Sequence, residues 1–311
     1  MHLPPHIRAI VDERAEAIGF AALKRAATAM SDAYRDGDPS RTGRLLAAER
    51  AAAYLVTRLP ATYAAAFRVL GEVSGRLAGR PVTSILDIGA GAGAASLAAL
   101  HWFPTAALTL VERDGAFAEI ARECLPDAAI RMDDVAHIDP LPPHDLVIAG
   151  YSLGEMPAPV AARAWRAARA AMVVIEPGTP AGFGRIRELR DRLLADGAHM
   201  IAPCPAESPC PLHEPDWCHF GARVERSSLH RRIKQGELSY EDEKFSYLAL
   251  ARDPAPLAAA RILRRPEHRP GLVSLEICRG GATATERVPH RDRSRFRAAR
   301  AALWGDSWDE T

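Results

Sequence analysis

The chain has 311 residues, 48% hydrophobic and 25% charged, with 40 basic and 39 acidic side chains for a formal net charge of +1. That is an ordinary globular composition with room for about two domains, and it excludes a polycation acting through bulk charge, so any basic surface has to be a local patch. No apolar run approaches the ~20 residues of a membrane helix, and the start "MHLPPHIRAIVDERAEAIGF" lacks the apolar centre of a secretory signal. The expectation is a cytoplasmic protein, monomeric when free, with no membrane contact, in which thiols stay reduced and grouped cysteines point to metal binding or catalysis.

Residues 1–80 read as helical. "GRLLAAERAAAYLVTRL" has helical spacing and stops at Pro60, and "TYAAAFRVLGEVSGRLAG" follows and closes at Gly79. Strand signals come next: "SILDIG", "LTLVE", the weaker "AIRMDD", "DLVIAG" and "MVVIEPG", separated by helix-like "AASLAALHWF" and "GAFAEIAREC". Such alternation predicts a parallel, doubly wound sheet. After helical "RIRELRDRLLADG", residues 202–220 interrupt the pattern and "KFSYLALAR" resumes it. The rest of the chain shows one β-like run, "LVSLEICRG", before an arginine-rich segment. The expected architecture is α/β. A helical N-terminal domain spans 1–80, and a Rossmann-like sheet spans 81–252 with a cysteine-rich insertion at about 200–236. A small β-containing C-terminal extension covers 253–311.

"LDIGAGAG" sets Gly89, Gly91 and Gly93 between a strand and a helix, where the chain must turn sharply and expose main-chain atoms to a ligand. Glu112, at the end of the next strand, sits where a carboxylate can accept from both hydroxyls of a ribose. Strand context, glycines and acid together favour a nucleoside site over a plain turn. Gly89-x-Gly91-x-x-Ala94 also fits a nicotinamide fingerprint, so an NAD-dependent oxidoreductase is a real rival. The preceding helical region and Asp87 weigh against it. The segment resembles the first motif of class I S-adenosylmethionine-dependent methyltransferases. That resemblance implies that Asp87 helps hold the methionine end, that Glu112 binds the ribose, and that Asp133 or Asp134 lies near the adenine. Methyl transfer is an in-line displacement in which placing the acceptor supplies much of the catalysis, and no obligatory base is legible. The Asn/Asp-Pro-Pro-Tyr motif of adenine-amine enzymes is absent. The Pro-Cys pairs at Cys204 and Cys210 fall beyond the fifth strand, the wrong place for a cytosine-C5 nucleophile. Tyr151 and Glu155, in the loop after the fourth strand, read as structural.

Three of the five cysteines, Cys204, Cys210 and Cys218, lie in "APCPAESPCPLHEPDWCHF" with five prolines. The close pairs of a structural zinc site are missing. A polar, proline-rich loop has little core in which to bury inert thiols. Four thiolates on a loose loop suit an iron–sulfur cluster, held from several directions, with Cys278 of "LEICRG" as the fourth. Cys124 has the apolar spacing of a core residue. His213 and His219 are spare ligands that keep zinc open.

"IEPGTPAGFGRIRELRDRLL", "APCPAESPCPL", "DWCHFGARVERSSLHRRIK" and "YEDEKFSYLALAR" together resemble the methyltransferase-like family of small ribosomal subunit biogenesis. The resemblance implies a 4Fe–4S cluster on Cys204, Cys210, Cys218 and Cys278, and a role with the small ribosomal subunit and its rRNA in which binding outweighs methylation. Two basic segments are candidates for that RNA: Arg223, Arg226, Arg231, Arg232 and Lys234, and the six arginines from Arg287 to Arg300. Either is also readable as a solvated face. The first begins five residues after Cys218, so its order is expected to depend on the cluster.

Overall fold

The helices at the start of the chain lie on a twisted sheet and share its core. The computed structural model describes residues 2–35, 45–77 and 79–309. Helices α1 (Pro5–Ile18), α2 (Phe20–Arg35), α3 (Ala47–Thr57) and α4 (Leu59–Leu77) come first. Pro60 falls in the first turn of α4, where the missing N–H costs no intrahelical bond, so α3 ends and α4 restarts around Arg58. The strands expected from the sequence are β1 (Ser84–Ile88), β2 (Ala107–Glu112), β3 (Ala129–Met132), β4 (His144–Gly150) and β5 (Ala168–Pro177). Between them run α5 (Ala94–Trp102), α6 (Gly115–Cys124) and α7 (Pro159–Ala167), and α8 (Pro180–Ala195) follows β5.

The remaining elements depart from a purely parallel sheet. β6 (His199–Ala202), β7 (Phe220–Glu225), α9 (Ser228–Lys234) and β8 (Tyr240–Ala251) complete the large sheet, whose order is β3-β2-β1-β4-β5-β8-β6, with β7 also on β8. β8 runs antiparallel to β5. On its other edge β6 pairs with one end and β7 with the other, Phe220 opposite Phe245 through Glu225 opposite Tyr240. The cysteine-rich loop therefore leaves and rejoins the same edge of one strand.

Leu70 of α4 and Leu55 of α3 belong to one continuous core with Ile85, Ile148 and Val173 from one sheet face. Leu86, Val147 and Val174 face the other way, onto Trp165 of α7 and Ile186 of α8. With both faces covered, the central strands read as unbroken apolar runs. A second, antiparallel sheet follows, of β9 (Arg261–Ile262), β10 (Glu267–Arg269), β11 (Leu272–Arg279) and β12 (Ala282–Pro289), backed by α10 (Arg293–Ala301). Only β11 had a strand signature. β12 is mostly exposed and lacks alternation, but Gly280 and Gly281, both at positive φ, make the two-residue hairpin that pairs it with β11. Among the described residues no helix is long and apolar enough to cross a membrane.

Candidate functional site

The glycine turn lies at the carboxyl ends of β1 and β4, where strand order reverses and ligands of open α/β sheets bind. Gly89, Gly91 and Gly93 all have positive φ, and Gly93 caps α5 in the left-handed conformation. A Cβ on Gly93 would sit 2.7 Å from Leu125 Cδ1, so this residue lets the turn close onto the sheet. The Glu112 carboxylate is fixed by two main-chain donors, Gly91 N–H to Oε2 at 2.7 Å and Asp114 N–H to Oε1 at 2.8 Å. Burial raises its pKa against those two hydrogen bonds. Each oxygen keeps a lone pair for a further donor.

Asp87 is buried beneath the turn. Ser96 Oγ donates to its Oδ2 at 2.7 Å, and Oδ1 has no partner among the described residues. Burial pushes its pKa up to about 7, beyond what the Ser96 bonds pull down, and nearby Glu112 adds to the rise. Asp133 and Asp134 are both held by local hydrogen bonds, Asp133 Oδ1 accepting from Asp134 N–H at 2.8 Å. Asp134 Oδ1 caps the short helical turn Val135–His137 through Ala136 N–H at 2.8 Å, whereas Asp133 faces Arg131 at 3.3 Å on the surface. Met132 beside them is 63% exposed, an apolar wall at the rim of the turn.

Helix α3 closes this end in a way the sequence did not signal. Arg50 pairs with Asp114, and Tyr54 packs edge-on against Phe117 with ring centroids 5.0 Å apart. Tyr151, at φ 60° after β4, donates to Glu243 Oε1 at 3.0 Å, and Glu243 also takes Arg58 at 3.1 Å. Burial raises the Tyr151 pKa well above the ordinary phenol value. Held in these contacts, Tyr151 is not presented as a base. Glu155 is exposed at the surface of the same loop. The antiparallel β8 beside β5 also replaces the second parallel half that a dinucleotide fold requires.

The cysteines meet elsewhere. Cys204, Cys210, Cys218 and Cys278 line one apolar cavity with Arg190 and Arg261, between α8, β8 and the second sheet. None is in a disulfide. Burial, followed by Cys204, Cys210 and Cys278, raises the Cys218 pKa well above the ordinary thiol value; burial with Cys204 and Cys210 pushes Cys278 to about 11. Yet among the described residues no three His, Cys, Asp or Glu side chains converge closely enough to hold an ion as they stand. Cys124 is buried in the core on α6, away from this cavity. His213 is exposed, and His219 is stacked on Trp217 at 4.9 Å and edge-on to Trp304 at 4.8 Å. Neither histidine lines the cavity.

Two arginines organise the loop, and no sequence signature marked them. Arg190 Nη2 donates to Ser208 O at 2.6 Å and Ala206 O at 3.2 Å, while Arg261 Nε donates to Pro203 O at 2.8 Å. The loop also has a small core of its own, contrary to expectation: Leu212, Trp217, Cys210 and Cys218 pack with Phe183, Leu263 and Cys278. The segment from Arg223 to Lys234 does not hang from the loop either. It forms β7 and α9, tied to β8 by strand pairing and by the pairs Arg223–Asp242 at 3.0 Å and Arg226–Glu241 at 2.6 Å. Its order is therefore independent of the cysteines.

Known proteins bear on this arrangement. The chain is 26% identical over 289 residues to the human (Homo sapiens) mitochondrial ribosome assembly protein METTL17, covering 81% of this chain and 61% of that one. It is 23% identical over 320 residues to the mitochondrial Rsm22-cox11 tandem protein 2 of Schizosaccharomyces pombe, covering 82% and 42%. It thus spans less than two thirds of the length of either relative. Solved structures that align with it include the plantazolicin methyltransferase BpumL, with TM-score 0.44, 10% identity and coverage of 75% and 97%. Another is the magnesium protoporphyrin IX methyltransferase of Synechocystis PCC 6803, with TM-score 0.40, 12% identity and coverage of 62% and 80%. Matched over residues 48–309 by the family model described as mitochondrial small ribosomal subunit Rsm22, this chain belongs to the Rsm22 family.

Proposed function

We propose that the protein is an S-adenosylmethionine-binding, methyltransferase-like factor that associates with the small ribosomal subunit and its rRNA during assembly. The observation that carries the nucleoside half is the Glu112 carboxylate, pinned beside the glycine turn by Gly91 and Asp114 with acceptor capacity to spare. Family membership supports the ribosomal half. Glu112 would accept from the ribose hydroxyls, Asp133 or Asp134 would lie near the adenine, and Met132 would flank the ring. The unpartnered Oδ1 of Asp87 suits the cationic methionine end. When bound, S-adenosylmethionine supplies an activated methyl group.

Whether that group is transferred depends on the acceptor. Tyr151 is held by Glu243 and Arg58, so the mouth of the site has no free proton acceptor from that residue. That observation favours a second reading, an assembly factor that binds the nucleoside without turnover. In either reading the four cysteines would hold a metal cluster. An all-sulfur donor set facing one cavity fits a 4Fe–4S cluster, and a zinc ion on four cysteines fits the same set less well because no two of them are closely spaced. Four thiolates leave such a centre anionic, and Arg190 and Arg261 supply compensating charge.

Calorimetry tests the nucleoside reading. Glu112→Ala is expected to weaken S-adenosylmethionine binding about 10- to 100-fold, the value of hydrogen bonds to a charged group. Tighter binding of NAD than of S-adenosylmethionine by the wild type would overturn it. Gradient co-sedimentation with the small subunit tests the other half, and free migration of the protein would overturn that.

A pH series adds an independent check. A carboxyl raised from 3.8 to about 7 is neutral in the free protein below that pH and must ionise to meet a cation. Affinity for S-adenosylmethionine should therefore rise as pH increases through about 7, and Asp87→Asn should flatten the profile. Linkage gives the opposite sign for the free protein: stability present below 3.8 is lost as pH rises through about 7. A wild-type affinity that does not change with pH would remove Asp87 from the site.

A further inference from the structure

The two basic segments differ in what already neutralises them. Along β7 and α9, Asp242 takes Arg223 and Glu241 takes Arg226 and Lys234, and Arg232 lies over the Phe20 ring at 4.5 Å. Between Arg287 and Arg300 only Arg295 pairs with a carboxylate, Glu286, among the described residues. Arg287, Arg291, Arg293, Arg297 and Arg300 are exposed there, without an ion pair among the described residues.

Helix α10 arranges three of these in a row. Arg293, Arg297 and Arg300 fall at i, i+4 and i+7, one face of a helix, and span about 10 Å at ~1.5 Å per residue. A different face, with Phe296 and Ala299, packs into the core of the second sheet beside Val288 and Trp308. The helix cannot roll to bury its arginines, and its apolar side is not free to enter a bilayer. Three guanidinium groups spread over that length can each meet a phosphate oxygen along a nucleic acid backbone.

We infer that this face of α10 is a contact for the phosphodiester backbone of helical RNA, an inference that rests on the proposed association with rRNA. Guanidinium groups match phosphate as paired donors. The row contains no aromatic side chain on which a base could stack, so it reads charge and shape rather than single-stranded sequence. The segment from Arg223 to Lys234 has three of its five cations matched by carboxylates and a fourth, Arg232, laid over the Phe20 ring, so it presents no comparable row and contributes little.

Fluorescence anisotropy with a duplex fragment of small-subunit rRNA tests this, comparing wild type with R293A/R297A/R300A and with R231A/R232A. The triple variant should bind at least about tenfold more weakly at fixed salt, and the slope of log affinity against log salt should fall by roughly two to three. R231A/R232A should stay within about twofold of wild type, and R297K, which keeps the charge but not the paired donors, should keep the wild-type salt slope. These side chains are exposed, so melting temperatures should agree. Unchanged affinity and slope in the triple variant would overturn the assignment, as would an equal loss in R231A/R232A. Wild type that co-sediments with the subunit but does not bind the duplex would overturn it while leaving the proposed function standing. Wild type that does neither would overturn both.

Discussion

Replacing Cys218 or Cys278 by serine is expected to abolish the iron in anaerobically purified protein, whereas Cys124→Ser leaves it unchanged. Wild type should be brown and carry about four irons per chain, as one cubane on four thiolates requires. The expectation follows from where the thiols lie. Cys204 and Cys218 flank a loop whose ends are fixed on the same edge of β8, Cys210 is in the middle of it, and Cys278 approaches from β11. All four meet one cavity, so loss of either outer anchor leaves a centre with three thiolates. Burial and the neighbouring cysteines raise the pKa values of Cys218 and Cys278, so without metal these thiols stay neutral and a bound centre has to offset the cost of deprotonating them. Because β7 and α9 are anchored separately, the iron-free variants should keep the fold of the large sheet and bind S-adenosylmethionine as wild type does. Colourless wild type with one equivalent of zinc would overturn the cluster and keep the thiol site. Iron retained in Cys278→Ser would remove that residue from it.

The glycine-turn end of the molecule was readable because its signals are local. The turn after β1, the glycines at positive φ and Glu112 on the next strand are fixed by a few neighbouring residues, and register carries them into place. The edge of the sheet was not readable in the same way. β8 continues the apolar pattern of the earlier strands, and nothing in "KFSYLALAR" announces that it runs antiparallel to β5. Pairing also hid the fate of the first basic segment. Arg223 lies opposite Asp242 across β7 and β8, and that match appears only once the two strands are in register. Cys278 could be joined to the loop cysteines by setting aside Cys124 and through a resemblance, but not through its own spacing, since its approach depends on how the second sheet docks. Arg190 and Arg261 had no signal at all, because their task is to satisfy the carbonyls of a loop whose path the sequence does not specify.

Arg261→Ala is expected to cost about 3–5 kcal/mol of stability, the usual effect of breaking a buried ion pair from one side. Arg261 is 2% exposed and joins parts of the chain that are far apart in sequence. Its Nη1 donates to Glu72 Oε2 on α4 and to Gly305 O, both at 2.9 Å, its Nη2 pairs with Glu72, and its Nε holds Pro203 at the start of the cysteine loop. Glu72 also accepts from Tyr247 of β8 at 2.8 Å and from Arg76 at 3.0 Å. Truncating Arg261 orphans two carbonyls and takes one partner from each oxygen of the Glu72 carboxylate, which is why the loss should exceed that of a surface pair. Arg76→Ala, which removes a partner with a wetter environment, should cost no more than about 1 kcal/mol. Urea unfolding of the two variants checks the ranking, and E72M/R261M should recover part of the loss, because it removes the uncompensated charge while the carbonyls of Pro203 and Gly305 stay unpaired. Acid should act through the same group. Burial pushes the Glu72 carboxyl up, but Arg261, Tyr247 and Arg76 outweigh it and hold the pKa below the ordinary 4.5. The stability it adds is present above 4.5 and is lost as pH falls through the lowered value, so wild type should lose more than Arg261→Ala on acidification. Equal losses in the two proteins, or an Arg261→Ala cost no larger than that of Arg76→Ala, would show that the pair is not what clamps α4, the loop and the second sheet together.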